Sequence, residues 1–182
     1  MAIQDRIYTI SEFEALEAAN DDQLLELING KVVEKVPTHQ RSRIVVALIK
    51  LLVAYLNTKE IGRLLTRASY RMPGDDHNAR IPDLSFVPTD KIWREKTPAP
   101  FMPPLAIEVQ SPNQSEKSLH DKAHYYITNG SQLVWIILME KRTVIVHTPT
   151  GQHTLTIDDT LSGTDVLPGL KIDVAALFAV LD

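Results

Sequence analysis

The stretch Leu105-Ala-Ile-Glu-Val-Gln110 puts an acidic side chain in the middle of an apolar, strand-forming run. Side chains alternate between the two faces of a strand, so Leu105, Ile107 and Val109 point one way while Glu108 and Gln110 point the other. An ionised carboxylate buried alone is costly, and Glu108 therefore requires a cation, a proton or an exit to water. An edge strand with Glu108 solvated meets that requirement in the ordinary way. A central strand meets it only if the fold delivers a partner.

A second carboxylate, Asp83, follows Ile81-Pro82 and opens the run Leu84-Ser-Phe-Val87. The proline fixes the backbone entry and supplies no ladder donor. If the two strands are neighbours, Asp83 and Glu108 converge at one end of a sheet, where a hard divalent cation can join their oxygens and the Val109 carbonyl can add a ligand. In the next helix, Leu119, Lys122, Ala123 and Tyr126 share one side at ~100° per residue. That side packs on the sheet, so Lys122 at its margin either snorkels to water or extends its ammonium toward the acids. In metal-assisted hydrolysis an ammonium there orients the attacking water or neutralises charge on phosphate.

The remaining pattern mixes helices and strands. Ser11-Glu-Phe-Glu14 reads as a capping box opening a helix to about Ala19. Leu24 to Ile28, the pair Asn29-Gly30, and Lys31 to Val36 read as a β-hairpin. After Pro37-Thr38, Ile44, Val45, Leu48, Leu51, Leu52, Tyr55 and Leu56 recur at helical spacing, with Asn57 and Thr58 ending the helix. Arg63 to Arg71 and Asp83 to Val87 read as strands around a Met72 to Ala79 turn, and Asp90 to Pro104 as a proline-rich excursion. Leu105 to Gln110 is a strand, Ser115 to Ile127 a helix, and Leu133 to Met139 with Val144 to His147 a second hairpin. A short strand near Leu155 and a helix from Asp173 follow. An α/β or α+β domain of helices on one mixed sheet, spanning 1–182, accommodates this order.

Composition removes several chemistries. There is no cysteine, which excludes disulfides, thiolate nucleophiles and zinc ribbons, so a metal must sit on oxygen or imidazole. A net charge of −4 argues against a bulk electrostatic grip on nucleic acid and leaves that role to a local basic patch. No apolar run approaches the ~18–20 residues that cross a bilayer, and the first residues lack the basic start and apolar stretch of a signal peptide, so a cytoplasmic place is expected.

Together, a proline-preceded Asp83, a mid-strand Glu108 with Gln110 two places on, and Lys122 in the following helix resemble the PD-(D/E)XK nuclease superfamily. Glu26-Leu-Ile-Asn-Gly30, Ile81-Pro-Asp-Leu-Ser-Phe86, Leu105-Ala-Ile-Glu-Val-Gln-Ser-Pro112, Lys122 with Tyr126, Gly130 and Trp135 resemble, in order over roughly residues 10 to 180, the bacterial Uma-two family. The resemblance implies a restriction-endonuclease-like fold, a mixed central sheet flanked by helices, with Mg²⁺ or Mn²⁺ on Asp83 and Glu108 and with Glu26 assisting as the family's N-terminal acid. Gln110 stands where the superfamily motif usually has lysine, which agrees with a lysine relocated to Lys122. The implied activity is metal-dependent phosphodiester hydrolysis of nucleic acid, DNA foremost, by a homodimer. A binding or regulatory module retaining the acids without catalysis is the alternative. A two-carboxylate glycoside hydrolase is a third, against which small size and few aromatics speak.

Other signals are weaker. Arg63, Arg67, Arg71 and Arg80, with Lys59, form the densest basic stretch; Arg71 and Arg80 can contact phosphates beside Asp83, or the stretch is a solvated strand face. His120 and His124 have metal-binding spacing but a phase that turns them to water, and His39, His77, His147 and His153 have no partner spacing. Trp93, Phe101 and Met102 either fold back on the core or form a lid, a dimer contact or a base-stacking platform.

Overall fold

The computed structural model describes residues 6–20, 23–36, 38–95, 97–112 and 114–182. Pro37, expected to precede the long helix, lies outside them. The first helix, α1 (Ile10–Ala19), is capped by Thr9, whose side chain accepts from the Glu12 amide while Glu12 reaches back to the Thr9 backbone. The capping box therefore starts two residues earlier than Ser11-Glu14. Strands β1 (Leu25–Ile28) and β2 (Lys31–Glu34) form the expected hairpin, pairing Ile28 with Lys31. Asn29 and Gly30 both adopt positive φ, 50° and 74°, as a two-residue turn of this hand requires. Helix α2 (His39–Leu56) takes Thr38 as its N-cap and Asn57 as its C-cap.

A six-stranded sheet follows: β3 (Gly62–Thr66), β4 (Leu84–Pro88), β5 (Leu105–Val109), β6 (Leu133–Leu138), β7 (Thr143–Thr148) and β8 (Gly151–Leu155), hydrogen-bonded in chain order. Only β5 and β6 run parallel, joined by α3 (Glu116–Thr128); the other neighbours are antiparallel. A parallel pair needs such a crossover. Two three-residue strands, β9 (Thr160–Ser162) and β10 (Lys171–Asp173), pair with each other, and α4 (Val174–Phe178) follows. The mixed central sheet flanked by helices is the architecture that the sequence implied.

The central strands β5 and β6 are buried on both faces. Leu105, Ile107, Val109, Trp135 and Ile137 pack with Ile44, Leu48 and Leu52 of α2 and with Leu177 and Phe178 of α4. Ala106, Val134 and Ile136 pack with Leu119, Ala123 and Tyr126 of α3. Both faces of β5 are therefore covered, and it sits between β4 and β6. A solvated edge position for Glu108 is ruled out.

Candidate functional site

Because β4 and β5 are antiparallel neighbours pairing Leu84 with Ile107, the start of β4 lies beside the end of β5. Asp83 stands just ahead of β4, its amide donating to the Ile107 carbonyl at 3.0 Å, and its Oδ2 accepts from the Val109 amide at 2.8 Å. That backbone clamp fixes the Asp83 carboxylate next to Glu108, which points from β5 toward α3.

Six charged side chains close around this point. Lys35, just past β2, places its ammonium 3.1 Å from Asp83 Oδ1 and 3.2 Å from Glu108 Oε2, and donates to the Ile81 carbonyl at 2.6 Å. Arg41, in the first turn of α2, forks onto both oxygens of Asp83 through Nε and Nη2. Lys122 donates to Glu26 Oε2 at 2.5 Å and lies 3.4 Å from Glu108 Oε1. Glu26 accepts the Ile81 amide at 2.9 Å with its other oxygen, and the Tyr126 hydroxyl donates to Glu108 at 2.9 Å. Glu26, Glu108, Asp83, Arg41 and Lys122 are all buried, Glu26 with no exposed surface.

Three acids face three cations, so the cluster is neutral within the protein. Burial by itself would raise the Glu26 carboxyl; Lys122, Lys35 and the Ile81 amide outweigh it and hold the pKa below the ordinary value. Burial would likewise lower the Lys35 ammonium, but Glu108, Glu26 and Asp83 raise it instead. The Tyr126 hydroxyl is driven well upward by burial and by the two neighbouring glutamates, so it keeps its proton and donates it to Glu108 in a hydrogen bond.

The expected trio therefore meets: Asp83, Glu108 and Lys122 belong to one cluster, although Lys122 reaches Glu108 and Glu26 rather than Asp83. With its side chain 5% exposed, Lys122 is ion-paired and does not snorkel. Glu26 is an integral member, fully buried although it lies on the hairpin strand β1. Val109 is present through its amide. Gln110 is half-buried and its side-chain amide donates to the Gln114 carbonyl at 3.0 Å, beside the cluster. Arg71 pairs with Glu14 at the surface, 2.9 Å away. Arg80 is buried instead of lying on a solvated face, its guanidinium bonded to Asn78 at 2.8 Å and stacked 4.3 Å over the Tyr125 ring.

Two members had no role in the sequence reading. Arg41 lies three residues before Ile44 on the buried stripe of α2, so a charge breaking an apolar face marked it as clearly as it marked Lys122. Lys35 had no such mark, standing beside Glu34 just past the end of a short hairpin strand. His120 also differs from expectation: its Nδ1 lies 3.1 Å from His147 Nε2, so the pair faces each other between α3 and β7. Trp93 is 41% exposed, while Met102 is buried.

Hard oxygen donors on Asp83 and Glu108 converge on one cationic point, which is the donor chemistry that Mg²⁺ takes. The chemistry of the donors fits; the free space does not, because Lys35 holds that point. Among the described residues no three His, Asp or Glu side chains are grouped to hold a metal, since cations separate the three acids.

A family model described as "Putative restriction endonuclease", Uma2, matches residues 10–175. No curated protein matches the chain. Among solved structures, a "putative nuclease belonging to DUF820" from Anabaena variabilis ATCC 29413 superposes with a TM-score of 0.81 at 23% identity, over 96% of this chain and 99% of that one.

Proposed function

The chain belongs to the Uma2 family, and on that premise we propose that it is a divalent-metal-dependent endonuclease that hydrolyses phosphodiester bonds of nucleic acid, DNA in the first place. The observation that carries this reading is the meeting of Asp83, Glu108 and Lys122 in one buried cluster at the sheet end. Asp83 and Glu108 would hold Mg²⁺, or Mn²⁺ in its place, with the Val109 carbonyl and Glu26 alongside. Bound there, the ion would polarise the phosphate and acidify a water.

The chain's own groups have distinct tasks. The Val109 amide and Arg41 orient Asp83. Tyr126 donates to Glu108 and keeps its carboxylate in place. Lys122, steadied by Glu26, presents an ammonium that can position water or offset charge developing on phosphate. Gln110, at the margin, can orient a ligand, and Arg71, at the surface, can meet a backbone phosphate. Arg80 is buried and stacked over the Tyr125 ring. Among the described residues no helix is long and apolar enough to cross a membrane; a cytoplasmic place goes with a nucleic-acid substrate. A twofold dimer would present two such sites to the two strands, and gel filtration is expected to give twice the 20.4 kDa chain mass.

The neutral cluster favours one second reading, a nuclease fold that binds without cutting. Incubation of plasmid and linear DNA with Mg²⁺ separates the two. Cleavage is expected from the wild type, with a loss of about 100-fold or more in Glu108→Gln at unchanged circular dichroism. Equal cleavage by that variant would refute the assignment, and absence of cleavage by a metal-binding wild type would favour the binding module.

A further inference from the structure

Lys35 is the member of the cluster that hydrolysis does not call for. Its ammonium has three N–H donors and three oxygens to receive them: Asp83 Oδ1 at 3.1 Å, Glu108 Oε2 at 3.2 Å and the Ile81 carbonyl at 2.6 Å. Two carboxylates and a carbonyl are also the ligand types of a hard divalent ion. The side chain is 7% exposed, so this placement is built into the interior. An ion bound to Asp83 and Glu108 at the ~2.0–2.1 Å that Mg²⁺ demands cannot share those oxygens with an ammonium at the same point.

Charge leads to the same conclusion. Glu26, Asp83 and Glu108 balance Lys35, Arg41 and Lys122, and a divalent ion would leave a buried excess of positive charge unless a cation left. Arg41 grips Asp83 with two nitrogens, and Lys122 has Glu26 as its nearest partner. Lys35 instead sits at the end of the hairpin next to Val36, which is 57% exposed, and a rotation of its four-carbon stem carries the charge outward.

We propose that the Lys35 ammonium occupies the divalent ion's place in the free protein and that Lys35 and the metal exclude each other there. Lys35 is then an internal competitor that sets how much metal the site needs. This rests on the assignment of Asp83 and Glu108 as the ion's ligands made above.

Two measurements test it. Calorimetric titration with Mn²⁺ on the whole chain compares wild type, Lys35→Met, and Lys35→Met carrying Glu108→Gln. Apparent affinity scales with the fraction of molecules whose site is open, so Lys35→Met is expected to bind one Mn²⁺ about tenfold or more tighter than wild type. The added Glu108→Gln is expected to abolish that gain. Equal affinities for wild type and Lys35→Met overturn the competition while leaving the ion ligands in place. Absence of binding in both overturns the ligand assignment itself. Amine-specific labelling of the wild type read by mass spectrometry avoids any folding defect of the variant. Lys35 is expected to be protected without metal and labelled several-fold faster in saturating Mg²⁺, with Lys117, already 83% exposed, unchanged as reference. Unchanged Lys35 labelling at an Mg²⁺ concentration that saturates the site overturns the proposal.

Discussion

Glu26 is held by donors from two distant parts of the chain, the Ile81 amide and Lys122, and with no exposed surface it has no water to replace either. Glu26→Gln leaves Lys122 buried with only Glu108 at 3.4 Å and is expected to cost about 3–5 kcal/mol in urea denaturation. Removing both partners is expected to be milder than the two single losses added together. A Glu26→Gln, Lys122→Met double-mutant cycle should return a coupling of about 1–3 kcal/mol. Glu108 and Lys122 were legible from sequence because each interrupts the apolar side of its own element, and Asp83 because Pro82 fixes its entry. Arg41 interrupts the apolar stripe of α2 in the same way. Lys35, between Glu34 and Val36 at the end of a four-residue strand, interrupts no long apolar face and becomes singular only through tertiary contacts that bring β2, β4 and β5 together.

The strands transmit that geometry through their register. Gly62 faces the Val87 carbonyl and the Phe86 ring so closely that a Cβ has no room. Gly62→Ala should push β3 off β4 and cost about 1–3 kcal/mol by overpacking, measurable by thermal melting. The Asn29-Gly30 hairpin, helix α2 and strand β5 were readable because turn chemistry or period was unambiguous there. The strand expected from Arg63 to Arg71 stops at Thr66 because Arg67 turns to φ 54°, after which only Tyr70 makes isolated bridges, to Arg80 and Ala99. Strands β9 and β10 offer too few residues for a period of two to register. The box at Thr9 was hidden because Ser11 and Glu14 repeat the same spacing two residues on.

Across the molecule, acid should erode stability over two pH windows. The His147 imidazole is lowered to about 4, first by burial and then by His120 and His124. Its folded value lies below the ordinary 6.5, so the unfolded chain binds the extra proton and stability falls as pH drops from 6.5 to about 4. His147→Gln should flatten the melting-temperature profile over that window. Glu26, also lowered, contributes stability above its ordinary 4.5 that is lost as pH falls further toward its folded value. The neutral cluster also bears on folding itself. A chelator should leave the melting temperature unchanged, and any shift of several degrees on adding EDTA to untreated protein would contradict it. A polypeptide that brings its own counter-ions to its deepest acids can finish its interior as soon as it leaves the ribosome. Scarcity of minerals would then leave such a molecule folded.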